Sequence, residues 1–155
     1  MCTPLWLFKR LDNEFHFTLD AASSDQNCLV EKHYTLETNG LAQSWKGERV
    51  WVNPPYNRGQ ARTWILKSLA ELNNGAEVIV ILLQNKTQHL WFGLLWDYSK
   101  SRPRKHIQIR FLPRSFQWMR DPPTEQWKTR AKFGSMVVVM SKKGFGWKDQ
   151  TINTH

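Results

Sequence analysis

The chain reads as an α/β fold, a doubly wound and mostly parallel sheet with an antiparallel hairpin at one edge. Three observations predict it. Glu77-Val78-Ile79-Val80-Ile81-Leu82-Leu83 is an apolar run of the kind found in strands buried on both faces of a parallel sheet. Strand-like and helix-like segments alternate before and after it. Two late strand-like segments lie close enough in pattern to pair as a hairpin. In such sheets ligands bind outside the carboxyl ends of the strands, and two of the early strands end in a polar residue, Asp20 and Asn53.

The elements follow in chain order. Thr3-Pro4 opens a helix, with Thr3 as N-cap and Pro4 at the first helical position. Leu7, Leu11 and Phe15 recur at a spacing of four and carry that helix from about Pro4 to Glu14. His16–Asp20 is a short buried strand ending in an acid. Residues 21–47 are mostly irregular, with Asn39-Gly40 as a turn. Arg49–Asn53 is a second strand, stopped by Pro54-Pro55. Ala61–Leu72 places Trp64, Ile65, Leu69 and Leu72 at helical spacing. After the apolar strand a helix is expected from Gln88 to about Trp96. Ile107–Leu112 and Ser135–Met140 are the last strands, joined by a polar, proline-containing loop.

At 155 residues the chain fits one domain, 1–155, with a real core. Its 41% hydrophobic and 23% charged residues are those of an ordinary globular protein. No apolar stretch is long enough to span a bilayer, and the start lacks a signal-peptide pattern. Cys2 and Cys28 form neither a metal-binding nor a redox motif, so a reduced, cytoplasmic setting is expected. The five histidines are scattered without ligand spacing, and no metal site is expected. Oligomeric state is not legible.

Charge is distributed unevenly. The net charge is +9, with 22 Lys/Arg against 13 Asp/Glu, and residues 1–75 are neutral, so the second half carries all of it. A basic segment over about 97–132 is interleaved with aromatics such as Phe116 and Trp118. That mixture suits phosphate contact with base stacking. Arg102, Arg104, Lys105, Arg114 and Trp118 are the candidate DNA-binding residues within it. A solvated basic face kept for solubility remains the alternative.

Asn53-Pro54-Pro55-Tyr56, at a strand end, is the sharpest motif. An adenine amino group is a poor nucleophile because its lone pair is delocalised into the ring. It becomes competent toward a sulfonium methyl when acceptors hold its two hydrogens. Asn53 offers its side-chain carbonyl and Pro54 its backbone carbonyl, while the fixed φ of both prolines holds the turn in place. Tyr56 offers a flat face for a base flipped out of the duplex. A plain strand-ending turn is the alternative.

The chain resembles the small DNA N-6-adenine-methyltransferase (Dam) family common in phages and prophages. The resemblance runs from Thr3 to about Met140. It is carried by Thr3-Pro4 with Leu7-Phe8, by Phe15-His16-Phe17-Thr18-Leu19-Asp20-Ala21-Ala22, by Asn39-Gly40-Leu41-Ala42-Gln43 with Trp45, and by the Asn-Pro-Pro-Tyr box. Leu82-Leu83, Thr87, Trp91-Phe92, Arg110-Phe111 and Ser135-Met136 also resemble the family. It implies a compact Rossmann-like class I methyltransferase fold, S-adenosyl-L-methionine as cofactor, DNA as partner and transfer to the adenine N6 amino group. It further implies that Thr3 and Pro4 reach the cofactor's carboxylate, and that Asp20, Ala21 and Ala22 cradle its methionine part. Capping of the first helix by Thr3, and of a following helix by Asp20, stay open beside those roles. The pattern departs at Asn39 and Ser44, where the family has aspartates, one of which accepts from the cofactor's adenine amino group. Asn39 can still accept through its carbonyl oxygen, and Ser44 is a weaker partner. Transfer to an amino group in RNA or on a protein glutamine, and a nucleic-acid-binding module without catalysis, are the competing functions.

Overall fold

The computed structural model describes residues 3–55, 57–112 and 134–145. Helix α1 (Leu5–Phe15) buries Leu7, Phe8 and Leu11. It ends at His16, which turns left-handed (φ 53°) and donates its N–H to the Asp12 carbonyl. The N–H of Phe17 then goes to the Asp12 carboxylate at 2.8 Å. This helix exit consumes residues read as strand, so β1 (Leu19–Asp20) has two residues instead of the five expected.

Strand β2 (Arg49–Val52), helix α2 (Gln60–Asn73) and strand β3 (Val78–Gln84) form a crossover unit whose two strands are parallel. Strand β1 also runs parallel to β2, with Asp20 level with Trp51. The helix expected over 88–96 is instead a single 3₁₀ turn, Leu90–Leu94. Its hydrogen bonds reach back three residues, from Phe92 to His89 and from Leu95 to Phe92. The turn buries Phe92, and Leu95 just after it, while Leu90 is 98% exposed. The chain then makes a small hairpin that the sequence pattern does not announce, β4 (Trp96–Asp97) against β5 (Arg102–Pro103). Asp97 builds its turn by accepting from the N–H and hydroxyl of Ser99.

Strands β6 (Ile107–Phe111) and β7 (Ser135–Met140) complete the main sheet in the order β1-β2-β3-β7-β6. Strand β7 is antiparallel to both neighbours, so β6 runs in the direction of β3. The sheet is mostly parallel with an antiparallel hairpin at one edge, as expected. Side chains alternate across it. Val50, Val52, Ile79, Ile81 and Leu83 pack in one cluster with Trp64, Ile65 and Leu72 of α2. Trp51, Val78, Val80 and Leu82 pack in the other with α1 and Phe17. Burial on both faces is why β3 shows no polar alternation. Each fully buried Val, Leu or Ile stabilises the fold by roughly 1.5–3 kcal/mol.

Candidate active site

The three parallel strands bring their carboxyl ends to one end of the sheet, where a cleft of about 730 Å³ opens, within the range of small-ligand sites. Asp20, Ala21 and Ala22 line it from the end of β1, and Asn53, Pro54 and Pro55 from the end of β2. Thr3, Asn39, Gly40 and Trp64 complete the parts that matter chemically.

Asn53 directly follows the last residue of β2 and is half-buried. The proline after it restricts Asn53 to extended backbone, and Pro55 does the same to Pro54, so the turn has little freedom. The Asn53 amide is held from an unexpected direction: its Nδ2 donates to the Thr3 hydroxyl at 2.9 Å. Thr3 is therefore not the side-chain cap of α1. Pro4 occupies the cap position without a side-chain bond, and its carbonyl receives the N–H groups of Leu7 and Phe8. Pro4 is buried at the start of α1 and does not line the cleft.

Asp20 is 2% exposed. One carboxylate oxygen accepts from Leu29 N–H at 3.1 Å, and Oδ1 has no partner at full hydrogen-bond geometry. Burial pushes its carboxyl above the ordinary aspartate range, opposed in part by the N–H groups of Leu29 and Ala22, by His33 and by the Ser23 hydroxyl. No helix follows Asp20, so the capping alternative fails. Trp64 Nε1, on another residue of the cleft, is buried without a partner, and the Ser23 hydroxyl beside it in the lining has only its approach to Asp20. An unsatisfied buried polar group costs about 1–3 kcal/mol, so under-satisfied groups lining one cleft are suited to meet a polar ligand there. Helical spacing assigns Trp64 to packing alone. Its indole does stack on Trp45, at 6.3 Å between centroids, but its N–H adds a donor that helix-face spacing does not reveal.

The far wall is the 3₁₀ turn Gly40–Ala42. Asn39 caps it in a left-handed conformation (φ 49°), with its side chain accepting from Leu41 N–H at 3.3 Å. The acceptor oxygen expected to face a cofactor thus already serves the turn, although Asn39 does line the cleft. Gly40 is required by close approach: a Cβ there would stand 2.1 Å from the Ala21 carbonyl oxygen. Trp45 Nε1 donates to the Gly40 carbonyl at 3.0 Å, and Trp45 N–H to the Glu71 carboxylate at 2.8 Å, tying this wall to α2. Ser44 is exposed outside the cleft, where its hydroxyl accepts from Lys46 N–H. The loop between Asp20 and the turn is pinned by a His33–Asp25 pair at 2.8 Å, and that bond raises the His33 pKa.

The basic residues divide. Arg102 lies in β5, and Arg104 is exposed with its Nε donating to the Gly93 carbonyl at 2.7 Å. Lys105 is exposed just before β6. Through Met140, Ile107 is level with Ile79 near the start of β3. These three cations therefore precede the amino end of β6, at the end of the sheet opposite Asn53. Arg58 and Arg62, which charge counting by halves conceals, are exposed beside the Asn53-Pro54-Pro55 turn and on the first turn of α2. Tyr56, Arg114 and Trp118 lie outside the described residues. Among the described residues no group of three His, Cys, Asp or Glu side chains could hold a metal ion, and no helix is long and apolar enough to cross a membrane.

Residues 1–143 match the family described as DNA N-6-adenine-methyltransferase (Dam). The chain is also 33% identical, over 93 residues, to a DNA N-6-adenine-methyltransferase of Escherichia phage T1. That match takes in 58% of this chain, and the chain spans 37% of the length of the phage protein. With the family match covering most of its length, the chain belongs to the DNA N-6-adenine-methyltransferase (Dam) family.

Proposed function

We propose that the protein transfers a methyl group from S-adenosyl-L-methionine to the N6 amino group of adenine in DNA. One observation carries this reading: the Asn53-Pro54-Pro55 turn opens into the same cleft as the buried Asp20 carboxylate and the unpartnered Trp64 indole N–H. The strand order, with a reversed strand between β3 and β6, supports a reduced Rossmann-like class I methyltransferase fold acting as one catalytic unit. The phage relative supports action in a host-cell cytoplasm.

The donor set of the cleft fits the cofactor. Asp20 offers an anionic acceptor to its ammonium group, while Ser23 and the Trp64 N–H offer partners to its polar ends. Ala21, Ala22 and the backbone at Thr3 shape the methionine end, with Pro4 behind them holding Thr3 in place, and Asn39 shapes the opposite wall. When bound, S-adenosyl-L-methionine supplies an electrophilic methyl group on positively charged sulfur. The residues of this chain prepare the nucleophile. Asn53 Oδ1 and the Pro54 carbonyl each accept one hydrogen of the adenine amino group, favouring a pyramidal nitrogen whose lone pair is withdrawn from conjugation with the ring. An amide oxygen has two lone pairs, so Asn53 can receive this hydrogen beside another partner. As the nitrogen–carbon bond forms and the methyl–sulfur bond of the donor breaks, leaving a neutral thioether, the nitrogen would become positive and both hydrogen bonds would strengthen, which lowers the barrier selectively. The proton lost from nitrogen passes to solvent. Pro55 stiffens the turn, and Tyr56 stacks on the flipped base.

DNA contact is assigned to Arg58 and Arg62 beside the cleft, and to Arg102, Arg104, Lys105, Arg114 and Trp118 in the basic segment. Labelled-methyl transfer to unmethylated DNA, RNA and protein, followed by nucleoside analysis, tests the reading. N6-methyladenine in DNA is the expected product. Label confined to RNA or to protein glutamine overturns it, as does DNA binding without any transfer.

A further inference from the structure

We propose that Thr3 is a positioning residue for the reaction, acting through Asn53 and not on the cofactor with its hydroxyl; this rests on the functional reading above. An asparagine amide is a two-faced group, since one branch accepts and the other donates. Presented the wrong way round, Asn53 would aim two N–H donors at an amino group that is itself a donor, and the lone pair would stay in the ring. Asn53 Nδ2 donates to Thr3 Oγ1 at 2.9 Å, across 50 residues of sequence. In this arrangement the donor branch is held by Thr3 in a fixed rotamer and the carbonyl branch is turned away from it.

The local sequence makes Thr3 a stiff anchor. Pro4 holds Thr3 in extended backbone, and β-branching leaves its χ1 few choices. Pro4 is buried and begins α1, which packs against the sheet through Leu7, Phe8 and Leu11. The hydroxyl is thus fixed to the same body that carries β2 and Asn53. No helix-capping bond competes for it, because the cap of α1 is made by backbone alone.

The test is a comparison of turnover, cofactor affinity and thermal midpoint across a few variants. Thr3→Val removes the hydroxyl at constant shape and should lower kcat on DNA by about 3- to 10-fold, the worth of one hydrogen bond. The calorimetric dissociation constant for S-adenosyl-L-methionine should not move, and the melting midpoint should fall by only a few degrees, about what one lost hydrogen bond costs. Thr3→Ser should restore most of the lost turnover, and Thr3→Ala repeats the deletion should the valine not fold. A carboxylate has two equivalent oxygens and no wrong face. In an Asn53→Asp background the Thr3→Val loss should therefore shrink. Weaker cofactor binding with kcat retained would make Thr3 a cofactor residue and overturn the proposal. So would an equal loss in the Asn53→Asp background, or Thr3→Val turning over like the wild type. A wild-type protein that transfers no methyl group to DNA overturns the functional reading itself.

Discussion

Asp20 keeps a carboxylate out of water, and the surrounding N–H groups, His33 and Ser23 offset that burial only in part. The net effect of burial is a raised pKa. A carboxyl whose native pKa is raised holds its full stability at low pH and loses it as pH rises. Below about pH 3.9 the group is neutral in both the native and unfolded states. As pH climbs through the interval up to the raised native value, the charge must be accommodated in the buried site and the wild type is destabilised. Asp20→Asn keeps an acceptor for Leu29 N–H and removes that charge. The variant should melt higher than the wild type at pH 7, and the gap should close toward pH 3.5. Each kcal/mol gained reads as about 2–4 °C in a domain of this size. The same variant should bind S-adenosyl-L-methionine about 10- to 100-fold more weakly, because a charge-assisted hydrogen bond is lost. A lower melting midpoint at pH 7 would contradict the assignment of Asp20 as a cofactor residue whose buried charge costs stability.

At the scale of elements, the cleft depends on how closely the 3₁₀ turn Gly40–Ala42 approaches the end of β1. With a Cβ placed 2.1 Å from the Ala21 carbonyl oxygen, Gly40→Ala must push one backbone away from the other. The expected cost is about 1–3 kcal/mol, read as a lower denaturation midpoint, together with weakened cofactor binding; unchanged stability would mean the turn is not packed on β1. Local pattern makes parts of this architecture legible. Six consecutive apolar residues in β3 fit a strand covered on both faces, and Asp20 and Asn53 are readable as site residues because each ends a strand. Other features need the third dimension. His16 and Phe17 are diverted to close α1, which no periodicity announces. The aromatic stretch around Trp91 satisfies its burial with one 3₁₀ turn and a small hairpin, so its helix-like composition misleads. Trp64 reads as core by spacing, and only its surroundings expose an indole N–H without a partner. The Thr3–Asn53 bond arises from the packing of α1 over the sheet and leaves no trace in either local sequence.

Over the whole molecule, charge and topology disagree about where DNA lies. The net charge of +9 comes from the second half of the chain, yet Arg102, Arg104 and Lys105 stand at the end of the sheet away from Asn53, while Arg58 and Arg62 stand beside it. Binding to any DNA sequence should weaken linearly in log affinity against log salt. Neutralising Arg58 and Arg62 together should flatten that slope by about two units, one for each phosphate left without its cation. Neutralising Arg102, Arg104 and Lys105 should flatten it less per charge removed. The reverse ranking in a salt titration would mean that the duplex lies mainly along the hairpin end of the molecule.

The most direct test of the central claim, that Asn53 holds the adenine amino group for methyl transfer, is single-turnover transfer of labelled methyl to unmethylated DNA by the wild type and by Asn53→Ala at saturating S-adenosyl-L-methionine. Losing one preorganised transition-state hydrogen bond costs about 10²–10³ in rate. The wild type should yield N6-methyladenine, and Asn53→Ala should fall by that factor while its cofactor affinity and melting midpoint stay near wild type. An Asn53→Ala protein that methylates adenine at close to the wild-type rate would contradict the claim.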